Sequence, residues 1–157
     1  GRLSLLTREL ELHRTEVDLN VLVQSMLNDL QSSLPATLTH VPGPLPVLLL
    51  DPEQIQKVVE NLLLNASEAV GVHGTIRIET AQQDEWAMLT VCDDGCGMSR
   101  EFLECSLFHP FQTTKSQGMG IGLFHSRTIV EAHHGHIEVE SEEGKGSTFR
   151  VLLPVKG

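Results

Sequence analysis

The chain has 157 residues, 40% of them hydrophobic and 20% charged, a balance that supports one packed core and excludes a disordered polar chain. Twenty-one acidic against eleven basic residues leave a formal charge of −10, which repels nucleic acid phosphates, so no nucleic acid partner is expected. No apolar run approaches the roughly 20 residues of a membrane span, and Arg2, Arg8, Glu9 and Glu11 interrupt the start where a signal peptide would be apolar, so a soluble domain is expected.

In chain order, residues 3–16 are polar with Leu3, Leu6, Leu10 and Val17 at helical spacing, which predicts the tail of a helix; residues 1–17 are thus assigned to a preceding helix or linker and 18–157 to the domain itself. Asp18 is a candidate cap for a second helix, in which Leu22, Val23, Met26, Leu27 and Leu30 recur at the three-four spacing until Pro35. Residues 37–41 and 47–50 read as short strands around the turn-rich Pro42-Gly43-Pro44. Asp51-Pro52-Glu53-Gln54 combines a capping carboxylate, a proline at the first helical position and an amide three residues after the cap.

Downstream of that cap, Ile55, Val58, Val59, Leu62, Leu63 and Ala66 form one apolar stripe, while Asn61, Asn65 and Glu68 share another face. The stretch 71–74 ends the helix, and strands over 75–80 and 86–92 form a hairpin before the glycine-bearing Asp93-Asp94-Gly95-Cys96-Gly97. After a less regular stretch, a helix from about residue 120 to 134 closes on Gly135, and strands over 136–141 and 147–153 make a second hairpin. Helices mixed with antiparallel strand pairs predict a two-layer α/β (α+β) sandwich, a mixed sheet covered by helices on one face.

Four segments each point to a nucleotide. In Asn61-Leu62-Leu63-Leu64-Asn65-Ala66, two amides stand one turn apart, and an amide oxygen ligates Mg²⁺ without adding negative charge beside a triphosphate. In Asp93-Asp94-Gly95-Cys96-Gly97, an apolar strand delivers a carboxylate that accepts from adenine's amino group and repels guanine's carbonyl, and the glycines admit a flat ring. Gly118-Met119-Gly120-Ile121-Gly122-Leu123 opens a helix whose free N–H groups suit phosphate, with Lys115 near enough to reach the terminal phosphates. Gly144-Lys145-Gly146-Ser147-Thr148-Phe149 turns into a strand whose hydroxyls can complete the adenine end.

Each segment alone also admits a plain structural account: wet asparagines, a glycine turn with a solvated Asp, a loop lysine, an ordinary hairpin. Cys92 and Cys96 have no second Cys or His pair at zinc spacing and read as small buried residues; with Cys105 they suit a reducing compartment.

In order and spacing, these runs and Phe108-His109-Pro110-Phe111 resemble the N box, first glycine box, phenylalanine box, second and third glycine boxes of histidine kinase catalytic domains, over about residues 51–154. The short lid, with Pro-Phe-x-Thr-Thr-Lys running into the glycine box, is most similar to the nitrogen-regulator type. The resemblance implies the Bergerat fold shared with gyrase, Hsp90 and MutL ATPases, with ATP and Mg²⁺ as cofactors. By position, it implies that Asn65 ligates the metal and that Asn61 and Lys115 act on the phosphates during transfer. It implies further that Asp93 binds adenine with Gly95 and Gly97 shaping its pocket, that Gly118, Gly120, Gly122 and Leu123 line the phosphates, that Ser147 assists Asp93 through water, and that Phe108 and Phe111 anchor the lid. Many members carry a lysine and then an aromatic residue where this chain has Glu68 and Ala69, so that phosphate contact and that ring stacking are not expected from this stretch.

The ATPase relatives keep a Glu four residues before the metal-binding Asn to activate water, whereas this chain has Asn61, a poor proton acceptor, and Glu60 faces about a third of a turn away. The γ-phosphate is thereby kept for an imidazole, which supplies its own lone pair. None of the eight histidines matches the acceptor pattern: His13 is followed by Arg14-Thr15-Glu16, and His133 and His134 read as positive partners of a helix dipole. The expectation is a cytoplasmic catalytic domain, monomeric and unable to phosphorylate itself alone. Its partners are its own dimerisation and phosphoacceptor domain, within a homodimer that upstream sequence can anchor in a membrane, and a response regulator. The competing readings are a Bergerat ATPase, a serine kinase of the anti-sigma type, and a nucleotide-binding module without activity.

Overall fold

The computed structural model describes residues 11–34, 36–70, 74–94, 117–142 and 146–155, with backbone alone at 117–122 and 142. The elements are β1 (Thr15–Val17), α1 (Leu19–Leu30), β2 (Thr37–Val41), β3 (Leu48–Leu50), α2 (Pro52–Val70), β4 (Thr75–Gln83), β5 (Trp86–Asp93), α3 (Gln117–Ala132), β6 (His136–Glu142) and β7 (Gly146–Pro154). A five-stranded sheet has the order β2-β4-β5-β7-β6. Only the β2–β4 pair is parallel, so the sheet is mixed, as expected.

The core lies between the sheet and the helices. Ile78, Val91 and Phe149 stand in one cross-strand row and Leu89 and Val151 in the next, all buried on the face that α2 and α3 cover. The α2 stripe is buried throughout, from Ile55 to Ala66. On α1, Leu19, Val23 and Leu27 are buried at four-residue spacing, and Asp18 caps the helix by accepting from the Val21 N–H at 3.3 Å.

Several expectations need correction. The helix foreseen over 3–16 does not reach the described residues 11–17: 11–14 have no regular structure, and Thr15–Val17 is a strand, antiparallel to β3, that buries Val17. Helix α1 ends at Leu30, before Pro35; β2 lies beside β4 and β3 beside β1. The first hairpin is longer than predicted, running to Gln83 and Asp93 around Asp84, which takes φ +56°. Helix α3 begins at Gln117, so the glycine run lies within its first turns.

At the end of α3 the left-handed position belongs to His134, φ +67°, not to Gly135. The Gly135 N–H reaches back to the Val130 carbonyl at 3.0 Å, closing the last turn. Gly135 is required for another reason: a Cβ there would lie 2.0 Å from the Leu152 carbonyl oxygen of β7. Cys92 is a free thiol, half-buried rather than buried, and the described residues contain no cluster of His, Cys, Asp or Glu that could hold a metal.

Candidate functional site

Two hydrogen bonds define how α2 and α3 lie together. The Asp51 N–H, at the start of α2, donates to His133 Nε2 just past the end of α3, at 3.1 Å. Further along, Asn61 Nδ2 donates to Ser126 Oγ at 3.2 Å. Moving forward along α2 therefore means moving backward along α3, and the helices are antiparallel. One turn beyond Asn61, Asn65 lies toward the start of α3. It is only 7% exposed, and its Nδ2 has no hydrogen-bond partner among the described residues. A wet-surface amide is ruled out at that position, because the side chain is buried.

The strands bring the acid to the same end. Asp93 closes β5, in register with Ile76 at the start of β4 and Ser147 at the start of β7. Because β4 follows closely on α2, this edge of the sheet lies at the C-terminal end of α2, and the Thr75 N–H donates to Asp94 Oδ1 at 3.1 Å to hold the strand end there. Asp93 is 9% exposed on the helix-covered face. Gly146 makes this approach possible: its φ is +106°, and a Cβ would stand 2.1 Å from the Asp93 carbonyl oxygen. Ser141 Oγ donates to the Gly146 carbonyl at 3.1 Å and lies 2.8 Å from Ser147 Oγ, so Ser147 is the donor of that pair.

Thus Asn65, Asp93, Ser147 and the first turns of α3, with Gly118, Gly120 and Gly122 in its backbone, occupy one end of the sandwich. Leu123 is fully buried in the hydrophobic core. Gly95, Gly97, Phe108, Phe111 and Lys115 lie outside the described residues. Glu60 and Glu68 are exposed.

Sequence reasoning passed over Ser126 and gave His133 a different role. Ser126 interrupts the apolar stripe Leu123, Ile129 and Val130 yet is fully buried, a polar residue on a core face being the available signal. His133 is not a cation beside a helix end. It is 3% exposed, its Nε2 accepts from Asp51 and its Nδ1–H donates to the Ile129 carbonyl at 2.9 Å. Burial pushes its pKa below the ordinary value, outweighing the Ile129 bond, and the Arg14 charge works in the same direction.

Asp51 is likewise a junction. Its Oδ1 caps α2 by accepting from Gln54 N at 3.2 Å, and its Oδ2 accepts from His13 N at 2.8 Å. Burial raises its pKa, but the N–H groups of His13, Gln54 and Glu53 outweigh burial and hold the carboxyl below its usual value. The reciprocal bond expected of a capping box is missing: the Asp51 N–H is given to His133, and Gln54 Oε1 is buried without a partner among the described residues.

A family model described as histidine kinase-, DNA gyrase B-, and HSP90-like ATPase matches residues 50–157. The sensor histidine kinase ZraS of Escherichia coli K12 is 42% identical over 111 residues, covering 71% of this chain and 24% of that protein. The signal transduction histidine-protein kinase AtoS of the same organism is 36% identical over 145 residues, covering 89% and 24%. The chain thus spans about a quarter of the length of these curated relatives. Among solved structures, the catalytic domain of the histidine kinase ThkA is similar with a TM-score of 0.81 at 29% identity, over 92% of this chain and 97% of that one.

Proposed function

This chain belongs to the histidine kinase-, DNA gyrase B- and HSP90-like ATPase family, as an ATP-binding catalytic domain of the sensor histidine kinase type, and from that premise we propose that it binds Mg-ATP and passes the γ-phosphate to a histidine on a separate phosphoacceptor domain. One observation carries the reading of the site: a buried carboxylate, Asp93, and a buried amide, Asn65, sit at the same end of the fold as the N-terminus of α3.

Each group has a matching task. Asp93 accepts from the adenine amino group, and Ser147, already hydrogen-bonded to Ser141, supports it through water. Asn65 offers a neutral oxygen to Mg²⁺, whose charge offsets that developing on the phosphates. Free backbone N–H groups in the first turn of α3, beside Gly118, Gly120 and Gly122, would receive the phosphate oxygens, and the resemblance would put Gly95 and Gly97 at the ring and Lys115 at the terminal phosphate. Asn61 lends its amide to the phosphates and is no base, which favours transfer to a nitrogen nucleophile over hydrolysis.

The remaining partners follow from the same reading: a dimerisation and phosphoacceptor domain within a homodimer, and a response regulator. His133, buried and held by two backbone groups, is unsuited as the acceptor. No helix among the described residues is long and apolar enough to cross a membrane.

Calorimetry tests the reading. The purified chain should take up a non-hydrolysable adenosine triphosphate analogue in a magnesium-dependent way, and Asp93→Asn should abolish the uptake. Uptake unaffected by that substitution would sink it. Steady phosphate release would favour an ATPase, and transfer to a serine would favour a serine kinase.

A further inference from the structure

We propose that Ser126 is a positioning residue of the nucleotide site, its buried hydroxyl holding the Asn61 side chain in place; the inference rests on the reading of Asn61 as a phosphate-side group. Ser126 has no exposed surface, and its neighbours on that side of α3, Leu123, Ile129 and Val130, are fully buried and apolar. Alanine would fit such a position without any polar group to satisfy, whereas a hydroxyl withdrawn from water is unfavourable unless it is hydrogen-bonded. Among the described residues, it accepts a hydrogen bond from the Asn61 amide, at 3.2 Å.

Asn61 is half-buried on the face of α2 that meets α3. Ser126 is one of its anchors, and losing it would widen the set of rotamers from which binding has to select. Held by Ser126, the amide stays over the seam between the helices, one turn from Asn65. The same bond joins α2, which carries both asparagines, to the helix whose first turns are assigned to the phosphates. It therefore sets the register between the two halves of the site at the level where they meet. Ser126 touches no nucleotide in this account; it acts through Asn61.

A double-mutant cycle decides the matter, with binding of the Mg²⁺ complex of a non-hydrolysable ATP analogue read by calorimetry on the 157-residue chain. Ser126→Ala should weaken binding about fivefold, the scale of one hydrogen bond, in a chain that still unfolds cooperatively. In an Asn61→Ala background the same change should have no further effect. A merely structural serine would lower stability and leave the cycle additive. Full affinity in Ser126→Ala beside a weakened Asn61→Ala overturns the inference and leaves the site intact, as does an additive cycle. Full affinity in Asn61→Ala removes Asn61 from the site and the inference with it.

Discussion

The backbone N–H of Asp51 donates to Nε2 of His133 across 3.1 Å, joining the cap of α2 to the end of α3. Because Nδ1–H is given to the Ile129 carbonyl, the imidazole must be neutral to accept at Nε2. Burial, the leading cause, keeps its pKa below 6.5, so the folded chain resists a proton that the unfolded chain accepts. That contribution is whole above pH 6.5 and is lost as the pH falls through that value. His40, also lowered by burial, acts with the same sign. Asp51, held below 3.8, adds stability that is present above that value and disappears only at more acid pH. The urea midpoint should therefore fall between about pH 7 and about pH 5. In His133→Gln, which keeps an acceptor and cannot be protonated, the fall should be smaller; equal slopes would contradict the assignment.

His134 holds φ +67°, a conformation that costs a side-chain-bearing residue about 1 kcal/mol. His134→Gly should therefore raise stability by up to about 1 kcal/mol, or about 2–4 °C in Tm. Thermal unfolding checks it, and a lower Tm would mean that the imidazole makes a stabilising contact.

Gly146 and Gly135 both bring backbone against backbone, but at opposite ends of β7. Alanine at either should cost about 1–3 kcal/mol through overpacking. Only Gly146→Ala pushes on the Asp93 carbonyl, so only it should also weaken nucleotide binding under conditions where both variants are folded. Comparable affinity in the two would argue against Asp93 as the adenine contact.

Asn65 carries a buried amide nitrogen without a partner among the described residues. Removing such a group recovers a desolvation term of about 1–3 kcal/mol and leaves a small void, so Asn65→Ala should change stability by no more than about 1 kcal/mol while magnesium-dependent nucleotide binding is lost. Chemical denaturation and calorimetry on one preparation report both. A large drop in stability with binding retained would make Asn65 structural.

The α2 stripe and its capping aspartate were legible because both signals are local: apolar residues at helical spacing, and an acceptor before a proline. The alternation of β5 and β7 was equally plain. Residues 11–16 misled because apolar spacing alone cannot separate a helix tail from a segment whose end, Thr15–Val17, is recruited as a strand by β3. Gly135 was read as the cap that closes the helix, yet the left-handed position falls on His134, while the close approach of Leu152 is what requires the glycine.

What residue order determined on its own was the run of elements from α1 to β7, and it named the amides, carboxylate and glycines proposed to meet a nucleotide. It did so because periodicity, caps and turn residues act over a few neighbours. Folding alone decided that β2 pairs with β4 rather than β3, that Asn65 is buried, that Ser126 grips Asn61 and that His133 accepts from Asp51. Those relations join residues up to 82 positions apart. They arise from packing α2 antiparallel to α3 over the sheet, where burial favours partners for polar groups such as Ser126 and His133 that no local pattern specifies.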